Sequence, residues 1–483
     1  MTEAPSNTYV RGSGFVGGGM QWSKGGTVSG RSTQVHYVPP HACSIGALTL
    51  LLSACLETSS AFQEMAERAN PIAPNSLGRA EESAAADGRT DDFWDAIANL
   101  DLVAVRQTAR TDPQARFADA VVALAAGDDA RAERSFGEMS VETSDPNVAT
   151  ASQLMFAATL LYEHKWSTLR NLATDLKLAS ADSQSISGVQ RWGNAFAELD
   201  SQIIEFPDVP VTLPLRVTQL GTPIIKVSVN GHEYRFWLDT GSSITVLSSD
   251  VAEEAGVSVL GSDTLTIATF AGFAPARPAV AKRVELGSIV LTNVPAIIIE
   301  SRLMRVQSTA PGVPPSGLPV DGIIGWDTIR RFDILLDYEN GRVTLQRPDN
   351  LGTRGTSSQN LMWVGKPFIE VRTKSGMTLH FSLDTGAQAS FLNASTLKKA
   401  RAVAGNSDAR PYGIARSGGQ KAQAVHALSV DVGGRSMMLT GLIVYYPSSA
   451  GLVTCDGILG SDIAQFGSIR IDATNGLFSV GAG

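Results

Sequence analysis

The sequence is poor in the residues that metal and redox chemistry draw on. Histidine occurs six times in 483 residues, and no two lie at metal-ligand spacing. Cysteine occurs three times, as Cys43, Cys55 and Cys455, with the third far from the other two. A disulfide framework in the body of the protein is therefore excluded, and Cys455 reads as a small buried apolar residue. Long runs of like charge are missing too. Charged residues make up 18% of the chain and the net charge is −8, so binding to a phosphate backbone is disfavoured. A continuous run of about twenty apolar residues, the length a membrane helix needs, is also lacking. No metal, no organic cofactor and no nucleic-acid partner is expected. What remains is a globular composition, 43% hydrophobic, long enough for several domains.

Residues 1–55 form the first segment. It is rich in Gly and Ser up to residue 41 and then carries a short apolar run from Ala42 to Ala54. That run has the length of a signal-peptide core rather than a membrane span. It ends in Leu52-Ser53-Ala54-Cys55, which resembles a bacterial lipobox. The resemblance implies lipidation of Cys55, membrane attachment through it, and a periplasm-facing place in the cell envelope. Lys24 and Arg31 would be the basic flank, although they stand far upstream, and Met20 is an alternative start. The competing reading is an apolar patch on an unstructured tail, which leaves the protein in the cytoplasm.

Residues 56–205 shift to Ala, Leu, Arg, Glu and Asp, a helical composition. Asp91-Asp92-Phe93-Trp94 reads as a helix start, with acids where the helix dipole favours them. From Ala115 to Met139 the pattern predicts two helices broken at Gly127-Asp128-Asp129, with Ala120, Leu124, Ala132 and Phe136 on facing stripes. The stretch Leu124 to Phe136 lines up with Leu160 to Leu172 at an offset of 36. Units of this kind resemble tetratricopeptide-type hairpins. A plain helical bundle fits equally well. His164 and Trp166 read as packing residues. A protein partner or a role in presenting substrate is the function open to this region.

After Phe206-Pro207 the pattern turns to alternating apolar residues and Gly turns, the mark of strands. This part contains itself twice. Pro223-Ile224-Ile225-Lys226-Val227 leads through Asn230-Gly231 to Leu238-Asp239-Thr240-Gly241-Ser242. Pro367-Phe368-Ile369-Glu370-Val371 leads through Ser375-Gly376 to Leu383-Asp384-Thr385-Gly386-Ala387. Asp321-Gly322-Ile323-Ile324-Gly325 then answers Asp456-Gly457-Ile458-Leu459-Gly460, and turns at Asn340-Gly341 and Asn475-Gly476 follow. The offsets are 144 at the Pro, 145 at the Asp-Thr-Gly and 135 afterwards.

Leu-Asp-Thr-Gly followed downstream by Ile-Ile-Gly resembles one retropepsin subunit. Two such copies resemble a covalently joined retropepsin dimer or a small pepsin-like bilobal aspartic peptidase, here of a bacterial type with a helical N-terminal region. The resemblance covers residues 206–483. It implies a mainly antiparallel β domain of two lobes, 206–348 and 361–483, joined by a polar linker at 349–360. Asp239 and Asp384 would share a proton and activate water. Thr240 and Thr385 would bond across the pseudo-two-fold axis. Gly241 and Gly386 would admit close backbone approach. Ser242, the pepsin-type residue, would donate to the outer oxygen of Asp239, which Ala387 cannot do for Asp384. Ile323-Ile324-Gly325 and Ile458-Leu459-Gly460 would form the apolar ψ-loops. Flap hairpins are expected at Thr266 to Arg283 and at Tyr412 to His426. The expected activity is peptide-bond hydrolysis on a peptide or protein substrate. The alternative is a peptidase fold that binds without cleaving.

Overall fold

The protein is described here by a computed structural model, over residues 92–179, 191–218, 221–262, 264–269, 272–306, 317–349, 359–407, 423–445 and 452–481. The Cys55 motif, the middle of the expected linker and residues 412–422 of the second expected flap lie outside them.

The first part is helical. Among the described residues, helices run as α1 Asp92–Ala98, α2 Leu102–Thr108, α3 Asp112–Ala125, α4 Asp129–Glu142, α5 Pro146–Tyr162 and α6 Trp166–Ala179. Their starts are written in the sequence. The Asp128 side chain accepts from Arg131 N to cap α4, and Asp145 accepts from Asn147 N and Val148 N ahead of Pro146. The expected break between α3 and α4 falls at Gly127, whose φ of 71° suits glycine. Ala120, Leu124, Ala132 and Phe136 are all buried, and the Phe117 and Phe136 rings meet at 5.6 Å. The α5–α6 turn repeats the α3–α4 turn, with His164 at φ 56°. None of the described helices is long and apolar enough to cross a membrane.

The second part is mainly β. Strands begin at Ile203–Glu205, slightly ahead of the boundary expected at 206, because Ile203-Ile204 pairs antiparallel with the strand Ile289–Ile299. One sheet runs through Ile289–Ile299, Thr245–Ser248, Gly322–Ile324, His232–Leu238, Pro223–Val229 and Gly272–Leu286. The last of these pairs back onto Ile289–Ile299, so the sheet closes into a barrel. A second sheet closes in the same way through Pro367–Thr373, Thr378–Leu383, Gly457–Leu459, Phe391–Asn393, Arg435–Tyr445 and Gln423–Val432. In each barrel the apolar segment before the second Gly lies parallel to the strand that precedes the Asp, and antiparallel to the strand that follows it.

A five-stranded sheet joins the barrels. The hairpin Asp333–Asp337 with Arg342–Gln346 is bonded to the hairpin Ser468–Asp472 with Leu477–Gly481, and Val211–Pro214 adds to one edge. Arg470 holds Asp333 with two hydrogen bonds, at 2.9 and 2.7 Å, across the join. Asn360, at the end of the expected linker, donates from Nδ2 to Phe478 O at 2.8 Å.

Candidate active site

Each Asp stands at the end of a strand that its own barrel holds tightly. Asp239 N donates to Ile324 O at 3.1 Å, and Asp384 N donates to Leu459 O at 3.0 Å. The chain then turns at once, with Ser242 N on Asp239 O and Ala387 N on Asp384 O, each at 3.2 Å. The next layer locks the turns from below. Trp326 N donates to Ser242 O, and Ser461 N donates to Ala387 O. Gly325 and Gly460 are required there, because a Cβ would stand 2.5 Å from Ile244 O in one case and 2.6 Å from Ala389 O in the other. Ile323, Ile324 and Leu459 are buried, and Ile458 is half-buried.

The two barrels bring Asp239 and Asp384 together. A Cβ on Gly241 would lie 2.4 Å from Asp384 Cγ, and a Cβ on Gly386 would lie 2.4 Å from Asp239 Cγ. Each glycine thus packs on the carboxyl of the opposite barrel. Its role is to make room for the facing carboxylate, beyond the access for backbone amides that the sequence suggested. The threonines clasp across the same axis. Thr240 N donates to Thr385 Oγ1 and Thr385 N to Thr240 Oγ1, both at 3.0 Å. Their hydroxyls then donate to Leu383 O at 2.8 Å and to Leu238 O at 2.6 Å.

Main-chain donors serve both carboxyls. Gly241 N reaches Asp239 Oδ1, and Ala387 N reaches Asp384 Oδ1, both at 2.9 Å. The Ser242 hydroxyl does not serve Asp239; it donates to Ile244 O at 2.9 Å. The tight turn puts that carbonyl within the reach of Ser242, so the expected difference between Ser242 and Ala387 is not expressed at the carboxyls. Asp239 Oδ2 is buried without a donor from any other group, and Asp384 is the side chain set to share a proton with it. Burial first, and then the charge of Asp384, hold the Asp239 carboxyl well above the usual range. Burial raises Asp384 to about 6, against the pull of its main-chain donors. The two carboxyls titrate as a unit and share one proton.

The expected first flap is a hairpin. Leu265–Thr269 pairs with the start of Gly272–Leu286, from Leu265 opposite Ala276 to Thr269 opposite Gly272. Among the described residues no group of three or more His, Cys, Asp or Glu is placed to hold a metal ion. Cys455 is half-buried, with its thiol on Gly457 O and its pKa pushed up by burial.

Sequence reasoning missed a second set of residues beside the Asp239 loop. Tyr162, Glu163 and His164 from the α5–α6 turn meet Arg330, Arg331 and Asp327 from the first barrel. A signal was present in the repeat. Arg330-Arg331 follows the first ψ-loop segment, whereas Gln465-Phe466 stands at the same place in the second copy.

Residues 225–328 match the family model described as aspartyl protease. That span includes Asp239 and Gly325 and supports a hydrolase of the aspartic type. No curated protein matches the chain. Among solved structures, the crystal structure of the aspartic proteinase from Irpex lacteus is similar at 16% identity. The likeness covers 56% of this chain and 96% of that one, with a TM-score of 0.35.

Proposed function

We propose that the chain is an aspartic endopeptidase whose dyad, Asp239 and Asp384, is built from two homologous lobes. The observation that carries this reading is the reciprocal packing of each Asp-Thr-Gly glycine on the opposite carboxyl. Together with the threonine clasp, it puts two buried carboxyls face to face, and two like charges so placed keep one proton between them. The ionised member of the pair takes a proton from water. The protonated member gives its proton to the carbonyl oxygen of the scissile amide as the water oxygen attacks. The tetrahedral intermediate then collapses and the C–N bond breaks: the leaving nitrogen takes up the proton acquired from water, and one hydroxyl of the intermediate returns a proton to the carboxylate that had donated its own, which restores the singly protonated pair. An extended peptide in the cleft would add as a strand, with pockets for alternate side chains. The hairpin of Leu265–Thr269 with Gly272–Leu286 would cover it.

The same reading divides the chain into a leader at 1–55, a helical domain at 56–205, lobes at 206–348 and 361–483, and a linker at 349–360. Lipidation of Cys55 would place the enzyme at the envelope. Mass spectrometry of the mature N-terminus checks this, since an intact peptide from residues 2–20 rejects processing.

Cleavage of a mixed peptide library between about pH 3 and 7 tests the activity, with Asp239→Asn and Asp384→Asn beside the wild type. Loss of cleavage in each single variant is expected. A wild type as inert as both variants would leave a binding protein with a peptidase fold.

A further inference from the structure

The helical part is not a separate bead on the chain. Its α5–α6 turn is wedged against the seam between the barrels, and three contacts define the wedge. The Tyr162 hydroxyl donates to Gly365 O of the second barrel at 3.1 Å. It also accepts from the Ser243 side chain, which belongs to the Asp239 loop. The Tyr162 ring stands edge-on to Trp363 of the second barrel, at 5.1 Å and 82°. One fully buried phenol therefore spans both halves of the molecule within four residues of Asp239.

The surrounding charges fasten this turn. Arg330 binds Asp129 and Glu163, the latter at 2.9 Å, and covers the Trp363 ring at 4.7 Å. Arg331 Nη2 donates to Tyr162 O at 3.0 Å. At the other end of the helical part, Thr454 N of the second barrel donates to Ala98 O at 2.7 Å.

The internal repeat supplies a control. Asp462, after the second ψ-loop segment, accepts from Ser390 N at 2.9 Å and Ser390 Oγ at 2.7 Å. Its counterpart in the first barrel is Asp327, and the counterpart of Ser390 is Thr245. Thr245 faces the Thr328 hydroxyl at 3.4 Å instead. Asp327 is 1% exposed, and neither of its oxygens has a hydrogen bond. The group that faces it is His164 Nε2, 3.5 Å from Oδ2. The second barrel thus gives its Asp two hydrogen bonds, whereas the first leaves Asp327 to a contact with the helical turn, beside the charge of Arg331.

We propose that Tyr162 and His164 are positioning residues of the dyad, holding the Asp239 loop against the opening strands of the second barrel. The catalytic half of this inference rests on the peptidase reading; the structural half does not. Misplacing a reacting group by about an ångström is enough to slow an enzyme strongly. Tyr162 acts through Ser243, and no contact of its own with substrate is required.

The test is Tyr162→Phe in the full chain, which keeps the ring against Trp363 and removes both hydroxyl bonds. Amide exchange over residues 239–243 is measured along with peptide cleavage. Faster exchange there is expected, with kcat down about tenfold, KM within about twofold and the pH profile displaced. Ser243→Ala should reproduce the effect, and the double variant should add little to either single one. A lowered melting temperature with unchanged exchange at 239–243 and an unchanged pH profile would overturn the proposal, leaving Tyr162 a packing residue. If the wild type cleaves nothing, the peptidase reading fails, and the exchange comparison alone decides whether Tyr162 orders the Asp239 loop. Unchanged exchange in both Tyr162→Phe and His164→Ala overturns the proposal in that case too.

Discussion

Replacing Asp384 by asparagine should make the protein more stable at neutral pH while removing its activity. The reason lies in the burial of the pair. Burial raises the Asp384 carboxyl from 3.8 to about 6, and Asp239 is raised further. A carboxyl whose pKa is higher in the folded state binds its proton more tightly there than in the unfolded chain. Its contribution is thus fully present below about pH 4 and is lost as the pH climbs through about 6. A shift of about two units corresponds to roughly 3 kcal/mol at pH 7. The amide side chain has the same shape, can accept from Ala387 N as the carboxylate does, and can offer an N–H to the donorless Asp239 Oδ2. Thermal unfolding at pH 7 and at pH 4 reads this out. A gain on the order of 5–10 °C is expected at pH 7, shrinking toward zero at pH 4. If Asp384→Asn melts at or below the wild-type temperature at pH 7, the account of the pair as a buried, destabilising charge is refuted.

Gly241→Ala should cut kcat by about a hundredfold and lower the melting temperature, because the new methyl would sit 2.4 Å from Asp384 Cγ and force the barrels apart. Wild-type kinetics in that variant would contradict the cross-barrel packing. In a pH series, kcat/KM should rise through about pH 6 as the pair loses its first proton and hold while the second proton is kept. A profile that peaks well below pH 5 would contradict the burial argument. Asp456→Ala should cost about 2–4 kcal/mol in denaturant unfolding, since it strips the acceptor from His380 N, Thr396 Oγ1 and Lys399 Nζ, which lie within 2.9–3.0 Å of it. A cost under about 0.5 kcal/mol would mean that these donors find water instead.

Much of this site is legible in the sequence because its determinants are local. Asp-Thr-Gly, the apolar pair before Gly325 and Gly460, and the Asn-Gly turns each fix a few consecutive residues, and their twofold recurrence fixes the topology around them. The helix break at Gly127 and the buried stripe through Leu124 and Phe136 were readable for the same reason. What escaped depends on distant partners. Nothing near Ser242 in sequence reveals that its hydroxyl turns to Ile244 O, because that choice is set by the tightness of the turn. Tyr162 and His164 look like ordinary residues at the end of a helix. Their meaning comes from Gly365, Ser243 and Asp327, which the fold brings to them from far along the chain. The reciprocal fit of Gly241 and Gly386 is likewise a property of two barrels meeting, which neither copy displays alone.

The sheet that joins the barrels also sets a schedule for the chain as it is made. The first barrel can close as soon as Ile324 is in place, but strand Asp333–Asp337 keeps one edge open until Ser468–Asp472 arrives to pair with it. A growing chain therefore carries Asp239 in a finished barrel with no second carboxyl opposite, and an unpaired strand edge beside it. Asp384 can face Asp239 only once the second barrel has formed. An unfinished copy therefore holds one carboxyl of the pair and an open strand edge at the same time.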